Sequence, residues 1–157
     1  MADEQAVLNG FKGWIENNDV LSGLIQAVYT DLPNFGQEIV PAPWLLIQPG
    51  TMVEDRVSTA DVQMRGYITF LYFDELGEQS GLSVGAIMAN ARSFMKELRF
   101  QIHLDYTIGG HVVWAGEGDG ITVHYSDAGE VRPVADQSYY CLPMDVDTLF
   151  LPEDPRT

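Results

Sequence analysis

Any chemistry in this chain would have to come from its acids, because its other reactive side chains stand alone. His103, His111 and His124 are its three histidines, and no two share an H-x-H, H-x-x-x-H or H-E-x-x-H spacing. Two of them fall singly in segments that read as strands, where a partly buried structural histidine is the ordinary role. No serine sits in a G-x-S-x-G elbow, and Cys141 has no histidine near it in sequence, so nucleophilic catalysis has no specific support. The run AGEGDG, from Ala115 to Gly120, superficially matches a phosphate-cradling loop. It lacks the Lys-Ser/Thr of a P-loop and is acidic, which would repel phosphate, so it reads as a tight hairpin connection. Two acid pairs are left, Glu117 with Asp119 and Asp145 with Asp147. Residues two apart on an extended segment point the same way, so each pair could hold Mg²⁺ or Ca²⁺, or serve a glycosidase. In a chain with 23 acids such pairs arise by chance, and nothing indicates a sugar-binding cleft. No catalytic, cofactor or metal site is therefore assigned.

Composition narrows the class further. A chain of 157 residues with 46% hydrophobic and 11% aromatic content can bury a core without staples. The longest apolar run is a few residues, against the roughly 20 needed to span a bilayer. The start, MADEQAVLNG, has no basic n-region, so no secretory signal is read there. Cys141 is the only cysteine, which excludes an intrachain disulfide and a cysteine zinc cluster. A cytosolic origin fits these features. With 23 acids against 8 bases the formal charge is −15, and from Asp105 to Thr157 ten acids face only Arg132 and Arg156. Such a surface repels nucleic acid and anionic membranes alike. It suits solubility or a salty host, or a surface that must lie near nucleic acid without holding it.

The elements that would position these residues follow from hydrophobic spacing. Val7, Leu8, Phe11, Trp14 and Ile15 recur at helical intervals, Asn17-Asn18-Asp19 supplies a stop and a fresh N-cap, and Leu21, Leu24, Ile25, Val28 and Leu32 form a second helical stripe. Trp44–Ile47 reads as a short strand buried on both faces, left at Pro49-Gly50 for a polar loop. Val62 to Phe73 alternates as a long strand with Val62, Met64, Ile68, Phe70 and Tyr72 towards the core and Asp74–Glu78 as an acidic turn. A helix after Ser80-Gly81 carries Ile87, Ala91, Phe94, Met95 and Leu98 on one face, and Phe100–Tyr106 could either continue it or begin a strand. Beyond it, 111–114 and 121–125 read as short strands, Ser126–Gln137 as a surface loop, and Ser138–Phe150 as a strand with Tyr140, Leu142, Met144, Val146 and Phe150 facing one way. Pro143 inside that strand argues for an edge position or a bulge. The expected fold is α+β: a mostly antiparallel sheet of about four to five strands, an N-terminal helical pair and one central amphipathic helix. It is read as one domain over 1–157, with a helical region 3–32, a strand–strand–helix block 43–99, C-terminal strands 111–150 and a loose tail 151–157.

On the central helix Arg92, Lys96 and Arg99 lie on a stripe beside the apolar face, which gathers three of the chain's eight cations. A solvated face with cations favouring the helix C-terminus is one reading. A docking stripe for an acidic patch on another copy is the other.

Read in order, Ala42-Pro43-Trp44-Leu45-Leu46-Ile47, Arg65–Asp74, Ala91–Leu98 and the strand pair near Val112 and from Tyr139 to Val146 carry a family likeness. This layout resembles the tail terminator proteins of long-tailed bacteriophages and related tail-completion components. The leading helix pair and the segment from Asp105 to Gln137 are longer than in that family. The resemblance implies a structural virion protein at the head-proximal end of the tail, synthesised in the host cytoplasm and catalysing no reaction. A homo-hexameric ring would cap the tail tube, stop its polymerisation and offer a surface for joining the head. Its partners would be further copies, the tail tube protein and a head–tail connector or neck protein, with no cofactor and no membrane, and with DNA passing through unbound. For the contact within such a ring, Arg92, Lys96 and Arg99 set against an acidic patch are the candidate residues, and the same reading expects loop 50–60, with Glu54, Asp55 and Arg56, to reach a neighbouring ring. Two alternatives stay open: another head–tail connector (a neck or head-completion protein), and a small hydrolase using Asp145 and Asp147. An enzyme should show a concave pocket converging on those acids, whereas a ring protein should show a flat or convex surface with exposed strand edges.

Overall fold

A computed structural model of the chain describes residues 4–33, 40–56, 62–76, 83–118, 120–124, 130–134 and 137–151. The α+β class is borne out: two helices lie on one face of a mixed sheet. Helix α1 (Glu4–Glu16) forms because Val7, Leu8, Phe11 and Ile15 recur every three or four residues, and all four are buried.

The expected second helix is not there. Asn18 does act as a cap, its side-chain oxygen accepting the N–H groups of Val20 and Leu21 at 3.0 Å each, but only a single 3₁₀ turn, Leu21–Gly23, follows. The chain then extends into β1 (Ala27–Tyr29), which runs parallel to the start of β2 (Trp44–Arg56). Leu21, Ile25 and Val28 are buried, as the stripe required, yet Leu24 and Leu32 are 42% and 61% exposed. A turn followed by a strand satisfies the same three apolar positions, and pairing with β2 overrides the local helical preference.

Strand β2 pairs antiparallel with β3 (Val62–Glu75). Trp44 to Ile47 is buried on both faces, as its continuous apolar run implied. The strand does not stop at Pro49-Gly50. The register slips between Pro49 and Met52, a bulge that absorbs the proline, and pairing resumes up to Arg56 against Val62. Gly66 is required opposite this bulge, since a Cβ there would collide with the carbonyl oxygen of Thr51. Glu54, Asp55 and Arg56 therefore belong to a strand and not to a loop; residues 57–61 of the expected loop lie outside the described residues. At its other end β3 runs on through Asp74 and Glu75, assigned above to a turn.

Helix α2 (Val84–Leu104) starts at Ser83, whose hydroxyl accepts the N–H of Ala86, and continues past Arg99 so that Ile102 joins the buried face. The C-terminal strands have a simpler logic than their spacing suggested. β4 (Trp114–Ala115), β5 (Ile121–Val123) and β6 (Glu130–Val134) do not pair with one another. Each takes a successive stretch of β7 (Gln137–Phe150), running antiparallel to it. They amount to one strand interrupted twice. The AGEGDG run is accordingly an excursion from that strand and not a hairpin turn, and the expected surface loop 126–137 contains β6. His111 to Val113 precede β4 in turns.

Strand β7 lies between β3 and these three pieces, so Pro143 is not on an edge strand. Its carbonyl accepts the N–H of His124 at 3.0 Å, so its missing N–H points the same way, away from β3 and just past the end of β5, and the ladder with β3 is untouched.

The faces of the sheet differ. On the inner face α1 covers β1 and β2 while α2 covers β3 and β7. Leu45, Ile47, Ile68, Phe70, Tyr72, Leu142, Met144, Val146 and Phe150 meet the helices there, with Phe11 edge-on to Phe70 at 5.3 Å. The outer face holds a small aromatic cluster at one end, where Trp44 stacks on Phe73 at 4.2 Å and meets Tyr139 edge-on. The other end of that face is polar.

Candidate functional site

The polar end of the outer face is built by register. Alternation on β3 puts Arg65, Tyr67 and Thr69 on the side away from the helices, and alternation on β7 puts Asp145 and Asp147 there too. Thr69 stands opposite Asp145, and Tyr67 opposite Asp147. Asp145 and Asp147 do share a face, as their spacing required, but each carboxylate is occupied. Asp147, 2% exposed, accepts from Arg65 Nη2 at 3.0 Å and Nε at 3.5 Å. Asp145 accepts the Thr69 hydroxyl at 2.7 Å and meets His124 Nε2 at 2.6 Å. The Arg65 guanidinium also lies over the Trp114 ring at 5.7 Å.

Glycines close the site from above. Gly116 N–H donates to the Asp147 carbonyl at 2.7 Å, and Asp147 N–H donates to the Gly120 carbonyl at 2.9 Å, so the excursion leaves and rejoins β7 across one residue. Gly116, Gly118 and Gly120 have φ of 84°, 62° and 77°. A Cβ on Gly118 would lie 2.5 Å from both Arg65 Nη2 and Asp147 Oδ2, so only glycine lets the loop pass over the pair.

This geometry suits structure better than catalysis. A nucleophile–base pair needs a hydroxyl or thiol on the imidazole, but Thr69 donates to the same carboxylate as His124 and not to His124 itself. No three His, Cys, Asp or Glu side chains among the described residues converge as a metal would require. Glu117 is exposed and its expected partner Asp119 lies outside the described residues. An open cleft of about 230 Å³ is lined by Ile15, Glu16, Ser22, Ile25 and Gln26, next to β1 and away from the acids of β7. His103 is exposed on α2, and His111 is exposed with its ring packed on Gly10, where a Cβ would come within 2.5 Å of it.

Other polar groups are likewise absorbed. Asp105 ends α2 and accepts from Trp14 Nε1, the Thr107 hydroxyl and Gly109 N–H at 3.0 to 3.2 Å. Burial pushes its carboxyl up, but these hydrogen bonds outweigh that and hold it below the ordinary carboxylate value. Burial raises the Asp74 carboxyl, against the Glu75 N–H that lowers it, and raises the Tyr72 hydroxyl above its usual range.

The stripe on α2 is different. Arg92 and Lys96 are exposed and Arg99 is half-buried, and none of the three forms an ion pair with another described residue. Phe100, four residues on from Lys96 and beside the stripe, is 54% exposed, while Leu104, 65% exposed, lies further round the helix towards the Gln101 side. The described contacts do not bring this stripe to Glu54 and Arg56 within one copy: α2 packs on β3 and β7, and those residues lie at the end of the β2–β3 ladder.

Sequence reasoning did not find the partners of Asp145 and Asp147. Their signal was present in the polar side of β3, since Arg65 and Thr69 alternate in phase with the two acids once the strands are placed side by side. The sequence matches no protein-family model, and no curated protein is detectably similar to it. Among the described residues no helix is long and apolar enough to cross a membrane.

Proposed function

We propose that this protein is a self-assembling structural component, and specifically a ring that caps a phage tail tube and offers the surface for joining the head. The observation that carries the assembly reading is the outward side of α2: cations with no ion pair among the described residues, beside exposed Phe100, on a chain of net charge −15. Arginine and aromatic side chains are enriched at protein interfaces, and this side of α2 sets Phe100 beside Arg92, Lys96 and Arg99. The groups that could do chemistry are bonded within the sheet, which favours assembly over hydrolysis. The tail assignment rests on the order of elements that resembles tail terminators, and the acid excess suits a channel through which DNA slides without a gain from counterion release.

Electron microscopy of tail tubes polymerised with and without the purified protein tests this. A closed ring at one end and tubes of limited length are expected. Tubes that lengthen unchanged and carry no terminal ring would overturn the tail reading.

A further inference from the structure

The two sets of charged residues that stay apart within one copy are placed to meet between copies. The Asn18–Gln101 hydrogen bond, 3.0 Å, marks the side of α2 that looks towards α1. At about 100° per residue, Arg92, Lys96, Arg99 and His103 point roughly 140° to 180° away from Gln101 around the helix. Since α1 covers β1 and β2 while α2 covers β3 and β7, the cationic stripe looks out over the side of the sheet that β4, β5 and β6 complete.

The opposite side of the sheet is an edge. β1 pairs with β2 only at Trp44, Leu45 and Leu46, so among the described residues no strand covers β2 from Ile47 to Arg56. This edge and the segment beside it are acidic. Glu54 is exposed, Asp55 follows it, and Asp31, just after β1, is exposed as well. Gln5 Nε2 donates to the Thr30 hydroxyl, which sets exposed Glu4 near the same edge. Three exposed acids, Glu4, Asp31 and Glu54, thus lie near one exposed base, Arg56, and Val53 adds an apolar side chain that is 55% exposed. Stripe and edge are complementary in both respects: cations with Phe100 on one, acids with Val53 on the other.

From this placement we infer that copies associate head to tail, the acidic β2 edge of one copy seating on the α2 stripe of the next. A contact between unlike patches on opposite sides of a subunit is heterologous, and it generates a ring if the rotation closes. The inference rests on the assembly reading above and specifies its interface; the occupant of the stripe is a second copy of this chain.

Two variants test it, one with Arg92→Glu and Lys96→Glu, the other with Glu54→Lys and Asp55→Lys. Each alone presents like charges to itself, and self-association of either, read by native mass spectrometry at low salt, should weaken by about a hundredfold. Mixed together they should co-assemble, because each reversed patch then meets an oppositely charged one, and the complexes should hold equal numbers of the two. The corresponding glutamine variants should associate weakly both alone and mixed, and they serve where a reversal impairs folding. Wild-type chains that stay monomeric at low salt, variants that each assemble like wild type, or a mixture that fails to co-assemble would each overturn the proposal. The two readings separate cleanly. Copies that mate by this contact yet leave tail tubes unaltered refute the tail assignment alone, while capping of tubes without rescue on mixing refutes the contact alone.

Discussion

The Arg65–Asp147 group on the sheet holds one cation and the Arg92–Lys96–Arg99 stripe on α2 gathers three, and the fold treats them in opposite ways. On the sheet, Asp147 is sealed under a glycine loop, and Arg65 answers it through two nitrogens while resting on Trp114. On the helix Arg92 and Lys96 reach solvent, Arg99 does so in part, and none of them forms an ion pair with another described residue. A charge withdrawn from water must be matched inside the protein or it destabilises the fold, whereas a charge left in water contributes little to stability and remains available to a second molecule. The difference separates residues that hold the protein together from residues that can hold copies to each other.

Breaking the sheet pair should therefore have the largest effect on stability, and the two halves of the pair should not be equal. Arg65→Ala leaves a buried carboxylate facing an apolar side chain, and a loss of about 3 kcal/mol is expected from denaturant unfolding. Asp147→Ala leaves an arginine whose side chain is already 43% exposed and can turn its head to water, so a loss of about 1 to 2 kcal/mol is expected. Equal losses would mean that Arg65 is held as firmly as its partner. Gly118→Ala comes next. The substitution adds a Cβ at a positive φ and aims it at both members of the pair, and a loss of roughly 1 to 2 kcal/mol should appear as an earlier denaturant midpoint with an unchanged slope.

The same contrast explains what was legible in the sequence. Helix α2, the buried face of β7 and the two-sided burial of Trp44–Ile47 could be read directly, because periodic apolar residues fix which way a helix or strand faces. The cationic stripe was legible for the same reason: positions 92, 96 and 99 are neighbours on any helix. The partners of Asp145 and Asp147 were not, since Arg65 is 82 residues from Asp147 and their meeting depends on strand order and register, which no local spacing records. The second N-terminal helix was misread because Leu21, Ile25 and Val28 satisfy a turn plus a strand as well as a helix. The hairpin at AGEGDG was misread because glycines with positive φ serve an excursion across Asp147 as readily as a two-strand turn.

A smaller effect should come from Asp105, a third carboxylate matched within the fold but near the surface. Its folded-state carboxyl titrates below the ordinary value of 3.8, so on acidification the unfolded chain takes up the proton first. The stabilisation is whole above that ordinary value and is lost as pH falls through the folded one. Asp105→Asn keeps an acceptor but removes the titration, so its melting temperature should fall less steeply than the wild type's between roughly pH 4 and pH 2. Parallel curves would show that the bonds from Trp14, Thr107 and Gly109 do not depend on the charge.

The smallest change in stability is expected where the assembly effect is greatest. Arg92→Glu with Lys96→Glu alters two solvated side chains in mid-helix, on a residue type whose helix propensity hardly differs, and should move unfolding by no more than about 0.5 kcal/mol. Loss of self-association without loss of fold is the signature of a contact surface. If instead the reversal destabilised the monomer by as much as Arg65→Ala, the stripe would have to be engaged within its own copy. Stripe and sheet pair would then be two instances of internal matching, and the contrast between them would disappear. Measuring the unfolding of the reversed variant at a concentration low enough to exclude assembly separates these cases, because only an internal partner could then be lost.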